Sequence, residues 1–225
     1  MVSQKKKHNA AAPEAVYNAL RKDILSGALA GDTPLRQDEI ASQHGVSKIP
    51  VREALRRLEV EGLVEFRPRK GAVVRLVSDT EILDTLDIRI ALECRALELA
   101  IPNMVDADFS LAHDLHEEYS AEPERERWSE LNLRFHHCIL EPCGNRKLLS
   151  LIYDIEQRMG TLMRLRVTEA SGLERPLAEH AEILAACERR DISNAVLALR
   201  SHIEVTKKEV AAFFRRKSLR QINSP

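Results

Sequence analysis

No apolar run in these 225 residues approaches the roughly 20 needed to cross a bilayer, so no membrane-spanning helix is expected. Lys5, Lys6 and Lys7 stand near the start, but no apolar core follows them, so no secretory signal is read there. Cysteine is sparse: Cys94, Cys138, Cys143 and Cys187 are scattered, with no C-x-x-C pair. That argues against a disulfide framework and fits buried thiols in a reducing, cytoplasmic setting. Glycine is also scarce, at 8 residues, and the long Leu/Ala/Glu/Arg-rich stretches between them point to helix. No internal repeat is visible. A net charge of −1 argues neither for nor against a polyanionic partner.

The distribution of charge is more informative. Residues 1–77 carry 14 Lys/Arg against 9 Asp/Glu, whereas 78–225 carry 20 against 26. A basic first third on an acidic remainder suggests that only one part meets a polyanion. With 44% hydrophobic and 31% charged residues the chain is an ordinary soluble globular protein, long enough for two modest domains.

Residues 1–12 read as a flexible basic arm. From Pro13 apolar residues recur at helical spacing (Val16, Ala19, Leu20, Ile24), with Gly27 as a helix end. A short helix is expected over Gln37–His44, stopped by Gly45, and a second from Lys48 to Glu61, with Ser47 as N-cap and Gly62 as terminator. The period then changes to that of strands at 63–67 and 72–77, with Pro68-Arg69-Lys70-Gly71 as the hairpin tip. Residues 78–80 form a linker. Helices follow near 81–101, 106–120, 124–141, 145–170, 173–190 and 192–216, and 218–225 is a tail. The expected fold class is mainly α. It combines a winged helix-turn-helix over 13–77, with a small β-hairpin wing, and an antiparallel all-α bundle of about six helices over 81–217.

Helix, short helix, turn, helix and hairpin is the order of a DNA-binding winged helix. In such a unit the N-terminal residues of the second helix of the pair reach base edges in the major groove. Here that stretch is Ser47-Lys48-Ile49-Pro50-Val51-Arg52. Lys48 and Arg52 share one face, and both can donate to guanine O6 and N7. Val51, Ala54, Leu55 and Leu58 form the opposite, core-facing stripe. Ser47 and the helix N-terminus suit a phosphate, and Arg67, Arg69 and Lys70 put charge on the wing.

Residues 13–77, with VYNALRKDILSGAL, GDTPLRQDEIASQHGVS and PVREALRRLEVEGLVEFRPRKGAVV, closely resemble the DNA-binding domain of the GntR family of regulators. The resemblance implies that Arg36, Ser47, Lys48, Ile49, Arg52 and Gly71 lie at or near DNA. Two positions depart from the family pattern. Lys48 stands where Arg is usual and lacks its bidentate fork. Ile49 stands where Thr is usual, losing a hydroxyl but able to touch a thymine methyl.

The second part resembles the FCD type of effector domain of the FadR group. The likeness rests on LDIRIALECRALELA, on ELNLRFHHCIL followed by GNRKLLSLI, and on AEHAEILAACERRDISNAVLALRSHI; the helix count favours the six-helix, VanR-like version. Asn132 and His136 share a helix face, and His180 and His202 sit on the last two helices, so a bundle can aim all of them at one point. Three imidazoles and one oxygen suit Zn²⁺ or Ni²⁺, with an open position for an effector carboxylate. Metal-binding relatives have an acidic residue where this chain has Asn132. Arg89, amid Leu86, Ile90 and Ala91, is a candidate effector anchor; its alternative is a surface pair with Glu93. Arg164 and Arg166 are further candidates. His137 is expected to point about 100° away from His136, and Cys138 and Cys187 to be core.

These features lead to a homodimeric regulator, a repressor by family habit, that binds a short inverted repeat in double-stranded DNA and senses a small carboxylate, with a divalent metal as candidate cofactor. Two alternatives stand beside it: a regulator for which the ion itself is the signal, and a metal-dependent enzyme. Against the enzyme, no general base or nucleophile motif accompanies the histidines.

Overall fold

The computed structural model describes residues 3–222, and the chain divides into two compact units. One runs through Val77 and takes in Gln157–Leu162; the other comprises Ser78–Glu156 and the chain from Met163 on.

In the first unit α1 (Ser3–Leu25), α2 (Gln37–His44) and α3 (Lys48–Val60) precede β1 (Val64–Arg67) and β2 (Gly71–Val74). Val16, Leu20, Ile24, Ile40, Val51, Ala54, Leu55 and Leu58 close a single core. The four α3 residues expected to face inward are fully buried. Gly45 ends α2 in the left-handed region, φ 64°, which costs glycine nothing because it has no Cβ. The strands pair antiparallel, Val64 opposite Val74 and Arg67 opposite Gly71. The 32–35 segment adds to this ribbon, with Leu35 N–H donating to Ala72 O and Val74 N–H to Thr33 O.

Two expectations are corrected here. Helix α1 begins at Ser3, not Pro13, so residues 3–12 are helix rather than an arm, while residues 1 and 2 lie outside the described residues. The lysines and Ala10–Ala12 are strong helix formers, set against the roughly 3 kcal/mol that an interior proline costs through its missing donor and its clash with the carbonyl four residues before it. The second strand ends at Val74 rather than residue 77.

The second unit is helical: α4 (Asp79–Ala100), α5 (Asp106–Ala121), α6 (Arg125–Leu140), α7 (Arg146–Ser171, apart from its residues 157–162), α8 (Glu174–Glu188) and α9 (Ile192–Ile222), with 3₁₀ turns at Ile101–Asn103 and Glu141–Cys143. Six helices were expected and six are described. The expected unbroken helix over 145–170 is interrupted at Gly160 (φ 60°, ψ 170°), a conformation that a side chain would strain. Residues 218–222, expected as tail, continue α9; residues 223–225 lie outside the described residues. The core is built from Leu86, Leu97, Leu131, Phe135, Ile139, Ile152, Ile183 and Leu199. In the described residues no helix is long and apolar enough to cross a membrane.

Ser78 caps α4: its hydroxyl accepts from Glu81 N–H at 3.0 Å. Ser78→Ala therefore lowers stability by about 1 kcal/mol, read by equilibrium denaturation.

Candidate functional site

In the first unit the N-terminus of α3 is displayed outward. Ser47 has extended backbone (φ −78°, ψ 170°) and its side chain makes no cap hydrogen bond, which leaves the hydroxyl to another partner. Lys48 and Arg52 are exposed, and Ile49 between them is 70% exposed, so all three are open to a partner. Arg36, at the start of α2, and Lys48 line one groove together with Lys70 and Gly71 of the wing, a space of about 470 Å³. Residues from three separate stretches of sequence thus meet on one face. Arg69 and Lys70 are exposed at the wing tip, in a turn closed by Lys70 N–H to Arg67 O at 3.2 Å. Arg69 takes φ 65° there, a conformation costly for a side chain with a Cβ.

Two contacts were not anticipated. Lys48 Nζ lies 2.6 Å from Asp38, and Arg36 Nη1 lies 3.1 Å from Glu39. Both pairs are solvent-exposed and worth at most about 1 kcal/mol each, so a phosphate or a base edge can displace them at small cost. The Arg36–Glu39 pair had a local signal in its spacing of three residues, whereas Lys48 and Asp38 meet only because α3 packs beside α2.

In the second unit His136 of α6, His180 of α8 and His202 of α9 converge. All three are buried, and one ring nitrogen from each lies within 4.8 Å of the others. His136 Nδ1 is 2.8 Å from Glu93 Oε2, and His202 Nδ1 is 2.7 Å from Glu179 Oε2. A carboxylate only accepts, so each Nδ1 carries a proton and donates, and Nε2 is the ring atom left to ligate. His136 Nε2 and both ring nitrogens of His180 are buried with no hydrogen-bond partner. Orphaned buried nitrogens are rare and mark a missing partner. Carboxylate-tethered imidazoles with free Nε2 atoms are the arrangement of metal-ligating histidines, so the donor set fits a divalent ion.

The electrostatics agree. Burial drives the His180 imidazole well below its usual range, reinforced by His202 and His136. Burial likewise pushes His202 down to about 4, against its hydrogen bond to Glu179. Both are therefore neutral near pH 7, as ligation requires. Burial would raise Glu93, but Arg89 and then His136 hold it at about 2. Phe135 stacks on His180, with centroids 4.3 Å apart, and fixes that ring. Asn132 lies one helical turn before His136 and is half-buried.

Arg89 is only 7% exposed, so the pair with Glu93 exists but is buried rather than at the surface. Its Nε reaches Glu93 Oε1 at 2.5 Å, while Nη2 is buried without a partner. Arg164 is half-buried and directs Nη1 at Glu156 O, 3.4 Å away; Arg166 pairs with Asp79 at 3.5 Å and lies over Phe214. His137 does turn away from the cluster, onto Glu156 and Tyr153. Cys187 is core, as expected, but Cys138 is only half-buried. Sequence reasoning missed Glu179, and it cast Glu93 only as a surface partner. Glu93 had a signal, because it falls on the buried stripe Leu86, Ile90, Cys94, Leu97. Glu179 had none, being merely the neighbour of His180.

Residues 13–74 match the family described as bacterial regulatory proteins, gntR family, and residues 84–205 match the FCD domain. The HTH-type transcriptional repressor GlaR of Escherichia coli K12 is 31% identical, over 83% of this chain and 90% of its own length. The HTH-type transcriptional repressor RspR of the same organism is 26% identical, over 94% and 91%. Among solved structures, a GntR family transcriptional regulator from Pseudomonas syringae pv. tomato is similar at TM-score 0.57 and 29% identity, covering 95% of this chain and 90% of that one. Lar of Listeria monocytogenes shares the fold at TM-score 0.70 and 18% identity, over 89% and 96%.

Proposed function

The chain belongs to the GntR family of bacterial regulatory proteins and carries an FCD domain, and on that premise we propose that it is a homodimeric repressor whose grip on an operator is set by a small carboxylate bound in the second unit. It is a DNA-binding transcriptional regulator and not an enzyme, as its family and its relatives are.

In this reading Arg36, Ser47, Lys48, Ile49, Arg52, Arg69, Lys70 and Gly71 meet DNA. The exposed start of α3 reads base edges, and the wing holds phosphate. A symmetric dimer requires a matching inverted repeat. Lys70→Ala should weaken binding nearly equally on every sequence and flatten the slope of log K against log salt by about 1 per protomer, measured by anisotropy titration at several salt concentrations.

The observation that carries the sensing reading is the set of buried, partnerless donor and acceptor atoms on His136, His180 and Arg89 in one bundle interior. His136, His180 and His202 would hold a divalent metal, with Asn132 as a neutral oxygen donor one turn before His136. Such an ion supplies a Lewis-acidic centre for an anionic effector. The chain's own residues do the rest. Glu93 and Glu179 fix the ring tautomers, Phe135 holds His180 in place, and Arg89 offers a buried cationic donor whose charge reaches both His180 and His202. An effector that favours one spacing of the two winged helices changes operator affinity by linkage.

The test is a melting and operator-binding survey of small carboxylates, with and without chelator. An acid that raises the melt and releases operator only in the metal-loaded protein supports the reading. Operator release by the ion alone would make the ion the signal. No response to any acid or ion would overturn both.

A further inference from the structure

Asp38 is an acid in a groove where phosphate binding alone has no use for one. It stands in the first turn of α2 and lines the same groove as Arg36, Lys48, Lys70 and Gly71. A carboxylate on a surface that meets a polyanion repels it and offsets one of the cations there. Glu39 is accounted for by Arg36, three residues before it. Asp38 instead crosses to α3 and takes Lys48 Nζ at 2.6 Å, with both side chains well exposed. It therefore lies beside a residue assigned to base edges and stays open to whatever enters the groove. An ammonium carries three donors and a carboxylate about four acceptor sites, and the contact between them uses one of each. Together the two side chains present a donor and an acceptor side by side.

We infer that Asp38 is a specificity-determining residue. With Lys48 it reads one G·C base pair in each half-site as a unit, Lys48 donating to guanine and Asp38 accepting from the N4 amino group of the paired cytosine. This rests on the reading that the start of α3 meets base edges, and narrows it. The major-groove edge carries the complementary functions at a matching spacing, because the keto oxygen and the amino group of a base pair are hydrogen-bonded to each other at about 2.9 Å. Guanine adds N7 as a second acceptor for the ammonium, where thymine puts its methyl group, so G·C is favoured over T·A. Reversing the base pair sets the carboxylate against a keto oxygen and the ammonium against an amino group, and both contacts are then repulsive. Lysine alone lacks that second check, since it donates to a keto oxygen on either strand.

The experiment uses the full-length protein and an operator selected from random-sequence DNA, read by anisotropy titration. Each cytosine of one half-site is replaced in turn by N4-methylcytosine, which keeps its pairing with guanine but loses the amino hydrogen that faces the major groove. One cytosine is expected to respond, with wild type binding about 10- to 100-fold less tightly, the range of one charge-assisted hydrogen bond. Asp38→Ala should ignore that methyl group to within about threefold, while gripping unrelated DNA more tightly for want of a repelling charge. Asp38→Asn keeps an acceptor oxygen and should keep part of the response. Asp38 also suits the N-terminus of α2 electrostatically, but that role moves the melt and not the response to a base analogue. A cytosine series without effect would overturn the inference, as would a response equally large in Asp38→Ala. If Lys48→Ala still weakens the operator in that case, α3 remains at the base edges and only the role of Asp38 falls. If Lys48→Ala costs no affinity either, the placing of Lys48 at base edges falls with it.

Discussion

Adding Zn²⁺ or Ni²⁺ to metal-free protein is expected to raise its melting temperature by about 10 °C, and His180→Ala to abolish the rise. A ligand at a thousand times its dissociation constant stabilises by about 4 kcal/mol, and each kcal/mol moves the midpoint of a domain this size by about 2–4 °C. His180 is the sharpest position to test. Both its ring nitrogens are buried and unpartnered, so replacing it breaks no hydrogen bond within the protein. Metal analysis should find close to one ion per chain in wild type and far less in the variant. A melt that rises equally in His180→Ala would place any ion elsewhere. A wild-type melt indifferent to metal would return the three imidazoles to direct effector contact or to structure.

Arg52→Ala should weaken operator binding by about 30-fold to 10⁴-fold. A base-edge contact by arginine is worth about 1–3 kcal/mol, and a dimer loses it twice. Arg52 is exposed one turn along α3 from Lys48, while its neighbours Val51, Ala54 and Leu55 are fully buried, so the change leaves the core alone. An operator selected from random-sequence DNA provides the substrate, and reselection with the variant should relax preference at one position in each half-site. Equal loss on all sequences would reassign Arg52 to phosphate. No loss would remove it from the interface.

The wing and α3 were largely legible in the sequence because their rules are local. The fully buried stripe of Val51, Ala54, Leu55 and Leu58 repeats at helical spacing. Pro68 and Gly71 bracket the hairpin turn, and Gly45 and Gly62 mark chain reversals that only a residue without Cβ takes freely. The start of α1 was misplaced because Pro13 reads locally as a beginning, while the residues before it have helix propensity enough to extend through it. The break at Gly160 went unseen because a lone glycine in a helical pattern is usually tolerated.

The histidine cluster divides differently. That His136, His180 and His202 could converge followed from three helices of one bundle, together with the family resemblance. What the sequence could not supply was the state of each ring. Glu93 could be taken for the exposed partner of Arg89, since an i, i+4 pair looks the same on either face of a helix. Glu179 and Glu156 had no reason to be singled out, because their partners lie 23 and 19 residues away. Sequence alone determined most of the helices, the wing and the core-facing stripe of α3, because periodicity, capping and turn chemistry act within a few residues. Tertiary packing alone decided which carboxylates are buried, which ring nitrogens donate to them and which polar atoms are left without partners. Those properties depend on exclusion of water by side chains far apart in the chain, and no local pattern encodes that.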